Sequence, residues 1–229
     1  IVDLSAEMVM RVADESAFGG NLRLGVVETV AKVWLPQLLE RIYAQSPEVT
    51  VDLVVDTSVV LRDLLIRGEL DVAFLLGPVD QPGLVKQLLC SYPLAWVASP
   101  KLGLGRRRLN RRQLAHQPII TFSRRSLPYA MVQDMFRGLD ALPVRMNASG
   151  SLFVSIRMAV NGLGIALLPP VALRSELDSG ALEIIKTDFE APTLDYFAIY
   201  AAVPRNPLAE HVTRIALEEA AKIGKADQR

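Results

Sequence analysis

The chain has 229 residues, of which 51% are apolar and 22% charged, so it can form one large domain or two of ordinary size, and a disordered chain is excluded. Its 25 basic residues balance 25 acidic ones, which leaves no net charge to attract nucleic acid, an anionic membrane or an acidic substrate. The single cysteine, Cys90, excludes an intramolecular disulfide and fits a reducing compartment, and we interpret it as a buried core thiol rather than a redox sensor.

The sequence predicts neither a membrane span nor a signal peptide. The longest uncharged stretch, residues 158–173, is broken by glycines and prolines and is shorter than the roughly 18 residues that a spanning helix needs. The first residues include Asp3 and Glu7 and no basic leader, so we expect no secretory signal.

The first third of the chain predicts helices and strands in alternation. Residues 1–18 form an apolar helical stripe that no following segment covers, so we expect this helix to pack on a partner chain or the domain surface, or to fray. The next segments are a strand at 22–27, a helix at 34–43, a strand at 49–55, a helix between its cap Ser58 and its stop Gly68, and a strand at 70–76. Because these apolar strands alternate with helices, they indicate a parallel α/β sheet that is buried on both faces.

The rest of the chain repeats the strand-helix-strand pattern and adds a final strand and helix. Strands are predicted at 84–89, 94–98, 118–122, 144–147, 165–168, 182–186 and 194–201. Helices are predicted around 129–136, from the cap Ser151 to the stop Gly162, around 171–177, and after a cap formed by Asn206 and Pro207.

Five arginines cluster in one predicted loop. They are Arg106, Arg107, Arg108, Arg111 and Arg112. We interpret the cluster as a solvated basic surface with the start of a helix. A patch that contacts phosphate or DNA is the alternative, but no aromatic residues interleave for stacking and no single helix face collects the arginines.

The sequence predicts no catalytic residue, no metal site and no cofactor. Its two histidines, His116 and His211, have no further histidine, cysteine or carboxylate at metal-ligand spacing. It has neither a G-x-S-x-G nucleophile elbow nor a P-loop. Gly162 and Gly164 follow a helix and precede a strand, which is the reverse of the order in a dinucleotide-binding loop.

Polar side chains follow four of the predicted strands. In an open parallel sheet, ligands bind beyond the carboxyl ends of the strands, where helix N-termini expose unpaired N–H groups. The four turns carry Glu28 and Thr29, then Asp56, Thr57 and Ser58, then Ser123, Arg124, Arg125 and Ser126, and finally Asn147, Ser149 and Ser151. Together they predict a polar cleft between two lobes.

The hydroxyls in these turns have two possible roles. Each could cap a helix instead of contacting a ligand, and Ser58 and Ser151 are the strongest cap candidates. Thr29, Thr57 and Ser123 are the better candidates for contacting a ligand.

Two charged residues in the turns point to opposite ligand charges. Arg124 could pair with a ligand carboxylate through its planar guanidinium. Glu28 would repel an acid if it faced the same cleft, so it either pairs with an arginine or favours an amine or a neutral ligand.

The order and spacing of several segments resemble the regulatory region of LysR-type transcriptional regulators, from the N-terminal helix to about Gly224. The matching segments are Leu22-Arg-Leu-Gly25, Leu35-Pro36 with Leu38-Leu39, Ser46-Pro47-Glu48-Val49, Leu64-Leu65 with Gly68-Glu69-Leu70-Asp71-Val72-Ala73, and Val160-Asn161-Gly162-Leu163-Gly164-Ile165-Ala166-Leu167-Leu168-Pro169. The chain departs from the family at Glu28, where small or hydroxyl residues are frequent, and in its arginine-rich loop. The departure at Glu28 argues against a carboxylate effector.

The resemblance implies an α/β fold of two Rossmann-like lobes joined by two crossover strands, like that of type 2 periplasmic binding proteins. Residues 21–92 and 197–224 would form lobe I, residues 93–196 lobe II, and residues 1–20 the end of a linker helix. A small polar effector would bind between the lobes. The positions that match the family's effector site are Thr29, Thr57, Ser123 and Ser149, and the predicted site also includes Ser58, Arg124 and Glu28 from the same turns.

The resemblance also implies a biological role. The chain would be a cytoplasmic, non-enzymatic domain that dimerises, within a regulator that is often a tetramer and that meets DNA only through a winged helix-turn-helix missing from this chain. Effector binding would alter the geometry of the dimer and so transcription. Two alternatives fit the same fold. One is a periplasmic solute-binding protein, which an upstream secretory leader would identify; the other is an enzyme, whose general acid or base could only be Glu28, Asp56 or a hydroxyl.

Overall fold

The computed structural model describes residues 19–77, 79, 81–105, 107–138 and 144–226, so the predicted helix at 1–18 and Arg106 lie outside the described residues. In chain order the strands are β1 Gly20–Val26, β2 Val49–Val55, β3 Val72–Leu76, β4 Leu84–Pro93, β5 Ala95–Ala98, β6 Ile119–Phe122, β7 Met146–Ser149, β8 Ile165–Leu168, β9 Glu183–Ile184 and β10 Thr193–Ala201. The helices are α1 Glu28–Val33, α2 Leu35–Gln45, α3 Ser58–Ile66, α4 Arg111–Ala115, α5 Leu127–Met135, α6 Leu152–Val160, α7 Arg174–Asp178 and α8 Pro207–Ala226. Two 3₁₀ turns span Pro100–Leu102 and Pro170–Leu173.

The strands form two five-stranded sheets. The first has the order β2-β1-β3-β10-β4, with β1 parallel to β2 and β3, and β10 antiparallel to β3 and β4. The second has the order β7-β6-β8-β5-β9, with β6 parallel to β7 and β8, and β5 antiparallel to β8 and β9. The chain leaves the first sheet after β4 and returns to it in β10, so two connections join the sheets.

Burial along the strands follows their place in the first sheet. Strand β3 lies between β1 and β10, and four of its five residues are buried, as its continuous apolar run predicts. Strand β2 lies at the edge of the sheet, and Leu53 and Val55 on it stay more than two-fifths exposed. Above the sheet the Trp34 and Phe74 rings pack with their centroids 5.7 Å apart.

The helix predicted at 34–43 is one of two that follow β1. Helix α1 begins at Glu28, directly after the strand, and the backbone breaks at Trp34, whose φ is −150°, before α2 begins at Leu35. Pro36 explains the break, because its ring lacks an N–H and would clash with the carbonyl of Lys32 in a continuous helix. Within the part of the chain that the structure describes, no helix is long and apolar enough to cross a membrane.

Most predicted helix boundaries are confirmed, and one cap prediction is wrong. Gly68 and Gly162 adopt left-handed φ angles of +70° and +76° just past their helices, as predicted. The Asn206 side chain accepts hydrogen bonds from the N–H groups of Leu208 and Ala209, which confirms it as a cap. The cap position of α3 is Thr57 rather than Ser58, because the Ser58 hydroxyl is used to accept a hydrogen bond from the distant Leu76 N–H at 3.0 Å.

The arginine-rich loop packs against the chain that follows β9. The Arg108 guanidinium donates a hydrogen bond to the Thr187 carbonyl at 2.8 Å, and Arg111 lies 5.1 Å above the Phe189 ring. A capping box formed by Asn110 and Gln113 starts α4. These contacts fit the interpretation of the loop as a packed surface with a helix start.

Cys90 lies on β4, partly buried against the core, and we expect it to be a poor nucleophile. Burial raises the pKa of its thiol to about 11, so at pH 8 only about one molecule in a thousand carries the thiolate. Alkylation by iodoacetamide at pH 8 should therefore be about a hundredfold slower than for a free cysteine of pKa about 8.5, and it should accelerate as the pH rises toward 10. An unfolded sample in urea provides the control, and equal rates in the folded and unfolded protein would contradict this expectation.

Candidate functional site

A cavity of about 400 Å³ lies between the two sheets, at the carboxyl ends of their parallel strands. The first sheet contributes Val27, Glu28, Thr29, Val55, Asp56, Thr57, Ser58 and Leu76, and the second contributes Phe122, Ser123, Ser126, Ser149, Gly150, Ser151 and Leu152. This is the position where an open α/β sheet places its ligand, because the turns after the strands converge there. We refer to this cavity as the cleft.

Six of the seven residues predicted for the site line the cleft. They are Glu28, Thr29, Thr57, Ser58, Ser123 and Ser149. Arg124 is exposed and lies instead against Tyr129, with its Cζ 5.9 Å from the ring centroid and its Nη1 3.3 Å from the hydroxyl. The pairing of Arg124 with a ligand, like the ligand contacts of the other six, stays a prediction.

The hydroxyls on the first side of the cleft differ in their availability to a ligand. Thr29 is 3% exposed and lies beside the Tyr196 phenol, whose pKa is raised by burial. The Ser58 hydroxyl already accepts a hydrogen bond from the Leu76 N–H. The Thr57 side chain, by contrast, makes no hydrogen bond within the described residues, while its N–H donates to Asp56 Oδ1 at 2.6 Å. Thr57 is therefore the hydroxyl on this side with free donor and acceptor capacity.

On the other side of the cleft, local turns use most of the hydroxyls. Ser126 donates to the Ser123 carbonyl at 2.7 Å and accepts from the Tyr129 N–H at 3.3 Å, which makes it the cap of α5. Ser149 Oγ is hydrogen-bonded to the backbone N–H and carbonyl of Ser151, at 3.1 Å each. The Ser123 side chain makes no hydrogen bond among the described residues, so it matches Thr57 across the cleft.

Glu28 connects the two sides of the cleft. Its carboxylate Oε1 accepts a hydrogen bond from Ser151 Oγ at 3.0 Å, and its Oε2 accepts one from the Leu152 N–H. Ser151 also accepts from the Val154 N–H, so its predicted role as the cap of α6 is confirmed. The carboxylate therefore lies at the positive end of the α6 dipole, where unpaired N–H groups favour a negative charge. Among the described residues, Glu28 pairs with this helix N-terminus and not with an arginine.

The charged side chains that line the cleft are both acidic. Among the described residues around it, Glu28 and Asp56 are charged, and no lysine, arginine or histidine is present. The apolar walls are formed by Val27, Leu76 and Phe122 and their neighbours. In the described parts of the chain, no cluster of histidine, cysteine, aspartate and glutamate could hold a metal ion.

Sequence reasoning placed Asp56, Ser126 and Ser151 in the right turns but left them out of the site. All three line the cleft. Their position after strands of the two sheets was the signal that could have included them. The apolar walls carried no such signal, because Val27, Leu76 and Phe122 look like ordinary strand residues.

A family model for the LysR substrate binding domain matches residues 16–221. The HTH-type transcriptional regulator GltR of Bacillus subtilis is 28% identical over 174 residues, which are 75% of this chain and 57% of that protein. A probable hydrogen peroxide-inducible genes activator of Streptomyces viridosporus is also 28% identical, over 71% of this chain and 53% of its own length. The chain thus spans about half the length of the curated relatives it matches, and those relatives are named as regulators, not enzymes.

Solved regulatory domains share the fold. The CcmR regulatory domain of Synechocystis PCC6803, in complex with 2-PG, matches with a TM-score of 0.76 and 23% identity over 87% of this chain and 96% of that one. The effector binding domain of QuiR, in complex with shikimate, matches with a TM-score of 0.75 and 15% identity over 90% of this chain and 99% of that one. These matches confirm the two-lobe α/β architecture of type 2 periplasmic binding proteins. Because the family model covers most of its length, the chain belongs to the LysR substrate-binding-domain family.

Proposed function

We propose that this domain senses a small polar metabolite in the cleft, as the effector-binding region of a LysR-type transcriptional regulator. One observation carries the proposal. The hydroxyls of Thr57 and Ser123, which make no hydrogen bond among the described residues, line the same cavity of about 400 Å³ from the turns that follow strands of the two sheets. A ligand that bridges them would bind both sides at once. In support, two solved domains of the same fold contain small molecules.

The proposed lobes follow the two sheets except in β10, whose residues 193–196 pair within the first sheet but belong to the predicted lobe II. Lobe I would comprise residues 21–92 and 197–224, lobe II residues 93–196, with the hinge at the two connections between the sheets. A ligand shifts the angle between lobes only if it binds one arrangement more tightly than the other. In the whole regulator this shift would alter a dimer or tetramer and, through a winged helix-turn-helix, its contact with DNA in the cytoplasm. Residues 1–20 would end the linker helix of that regulator.

The proposal is tested by screening a metabolite library for compounds that raise the melting temperature of the domain. A compound that binds between the lobes should also lower the radius of gyration in small-angle scattering. Thr57→Val and Ser123→Ala should each weaken its binding roughly fivefold, because each removes about one net hydrogen bond. Binding would be measured by isothermal titration calorimetry.

Thr50→Val is the matched control for these substitutions. Thr50 is exposed on β2, and its hydroxyl bonds Asn21 rather than facing the cleft. It should leave the affinity unchanged. The proposed function fails if no compound stabilises the domain, or if Thr57→Val and Ser123→Ala both bind the compound as tightly as the wild type does.

A further inference from the structure

We infer that Glu28 determines the charge of the effector, so that the cleft selects small ligands with a protonated amine and rejects free carboxylates. This inference rests on the proposed function, since it assumes that the cleft is the effector site. It goes further by naming the class of ligand and the residue that discriminates between classes.

The N–H and O–H donors at the start of α6 are already used within the chain. The N-terminus of a helix is the usual place for an incoming carboxylate, because its unpaired N–H groups and dipole stabilise negative charge. In this chain the Leu152 N–H and the Ser151 hydroxyl at the start of α6 already donate to Glu28. An external carboxylate would therefore have to displace an internal one that the chain holds in place.

The charge around the cavity disfavours an anion. Of the described residues that line it, Glu28 and Asp56 carry charge, and both are acidic. Asp56 is fixed through its hydrogen bond from the Thr57 N–H. An anion placed between two carboxylates in a partly apolar cavity is repelled, whereas an ammonium group is attracted.

The neighbouring basic side chains do not offset this charge. Arg124 lies against Tyr129, and neither it nor the exposed Arg125 is among the described residues that line the cleft. Lys32, on the helix that begins with Glu28, forms an ion pair with Glu176, with Nζ and Oε1 3.5 Å apart. The described surroundings of Glu28 therefore leave the cleft acidic.

The cleft also offers the hydrogen-bond acceptors that an ammonium group needs. An ammonium has three N–H donors and no acceptor. Each Glu28 carboxylate oxygen accepts one hydrogen bond in the present arrangement, so each has a second lone pair free. The Thr57 and Ser123 hydroxyls supply further acceptors around the same cavity. The cleft can thus satisfy a protonated amine without breaking the contact between Glu28 and α6.

The test compares three small probes of similar size and different charge: ethanolammonium, ethylene glycol and glycolate. Each is titrated into the ¹⁵N-labelled domain at pH 7 and constant ionic strength, and the amide signals of Thr57, Ser123 and Leu152 report binding. Ethanolammonium should bind about tenfold or more tightly than glycolate, with ethylene glycol between them. In the Glu28→Gln variant, this ratio should fall to about threefold or less, with Asp56 supplying the remaining preference.

Glu40→Gln is the matched control, because Glu40 is exposed on α2 and its replacement changes the net charge by the same amount. It should preserve the wild-type ratio. The comparison within the wild-type domain needs no variant, so it still tests the charge preference of the cleft if Glu28→Gln folds poorly, and Asp56→Asn then separates the contribution of Asp56 from that of Glu28.

Four outcomes overturn the inference: equal or tighter binding of glycolate, binding of ethylene glycol as tight as that of ethanolammonium, no response of the cleft amides to any probe, or an unchanged ratio in a folded Glu28→Gln domain. The first two leave effector binding in the cleft intact. The proposed function itself is judged separately, by whether any member of the metabolite library binds.

Discussion

Replacing Gly164 with alanine is expected to lower the free energy of unfolding by about 3 kcal/mol. A Cβ at this position would collide with the carbonyl oxygen of Pro118 and lie 3.0 Å from its carbonyl carbon. Both are backbone atoms, so no change of rotamer relieves the clash. The same Pro118 carbonyl accepts the Ile165 N–H at 2.9 Å, where β8 begins to pair with β6. The alanine would therefore separate the two strands at the centre of the second sheet.

Gly162→Ala is the matched control two residues away. Its φ of +76° disfavours an L-residue, but an added Cβ would meet nothing closer than 3.9 Å. We expect a loss of about 1 kcal/mol, which is the usual cost of a left-handed conformation. Urea unfolding followed by circular dichroism would compare the two variants. A loss for Gly164→Ala no larger than that for Gly162→Ala would show that the strands can adjust to the clash.

Gly162 and Gly164 also explain a glycine-rich segment that superficially resembles a nucleotide-binding loop. Gly162 ends α6 in the left-handed conformation, and Gly164 lets β8 approach the Pro118 backbone. Both requirements belong to the backbone of the second sheet. Neither glycine lines the cleft among the described residues.

Local signals in the sequence predicted most of the elements. Continuous apolar runs predicted β3 and β8, and the aliphatic residues on either side of Arg23 predicted β1, because strands buried on both faces need mostly apolar side chains. Helix ends were equally readable at Gly68 and Asn206, since a left-handed stop and a side-chain cap depend on residues within one turn. The position of the cleft was predictable for the same reason, because a turn after a strand is a local feature.

Contacts between distant residues could not be predicted. The Ser58 hydroxyl binds the Leu76 N–H, 18 residues away, and nothing in its own turn distinguishes this role from a cap. The partner of Glu28, Ser151, lies 123 residues away, where α6 begins after β7 of the second sheet. The order of the strands was equally hard to predict. Strand β10 inserts antiparallel between β3 and β4, so the order depends on where the C-terminal part of the chain rejoins the first sheet.

Glu28 departs from the family pattern, and the structure gives the reason that the fold tolerates a carboxylate there. The sequence indicated only that a carboxylate stands where small or hydroxyl residues are frequent. The structure shows this carboxylate bound to the hydroxyl and the N–H that begin α6. The hydrogen bonds from the start of α6 therefore stabilise the Glu28 carboxylate, and this carboxylate adds a negative charge to the lining of the cleft.

Replacing Asp71 with alanine is expected to destabilise the domain by about 2 kcal/mol. The Asp71 carboxylate accepts the Arg23 backbone N–H at 2.8 Å, as well as its guanidinium at 2.7 Å and 3.2 Å, while the same guanidinium donates to the Gly68 carbonyl. The Asp71 side chain is 14% exposed, so its removal leaves the Arg23 N–H donors without a full set of hydrogen-bond acceptors. Asp63→Ala is the control, since the Arg62 and Asp63 side chains are more than two-fifths exposed and their ion pair should contribute less than about 1 kcal/mol.

The destabilisation of Asp71→Ala should also depend on pH. Burial alone would raise the pKa of Asp71, but the hydrogen bonds and charge of Arg23 outweigh burial and lower it. A carboxyl whose folded pKa lies below its unfolded value of about 4 stabilises the fold above pH 4 and loses this contribution as the pH falls through the folded pKa. The stability difference between wild type and variant should therefore be full at pH 6 and shrink below pH 4, as urea unfolding at each pH would measure. Because Asp71 precedes β3, at the opposite end of the strands from the cleft, effector binding by the folded variant should be unchanged. A difference that is the same at pH 6 and pH 3 would contradict the assignment of this stability to the ionised Asp71 carboxylate.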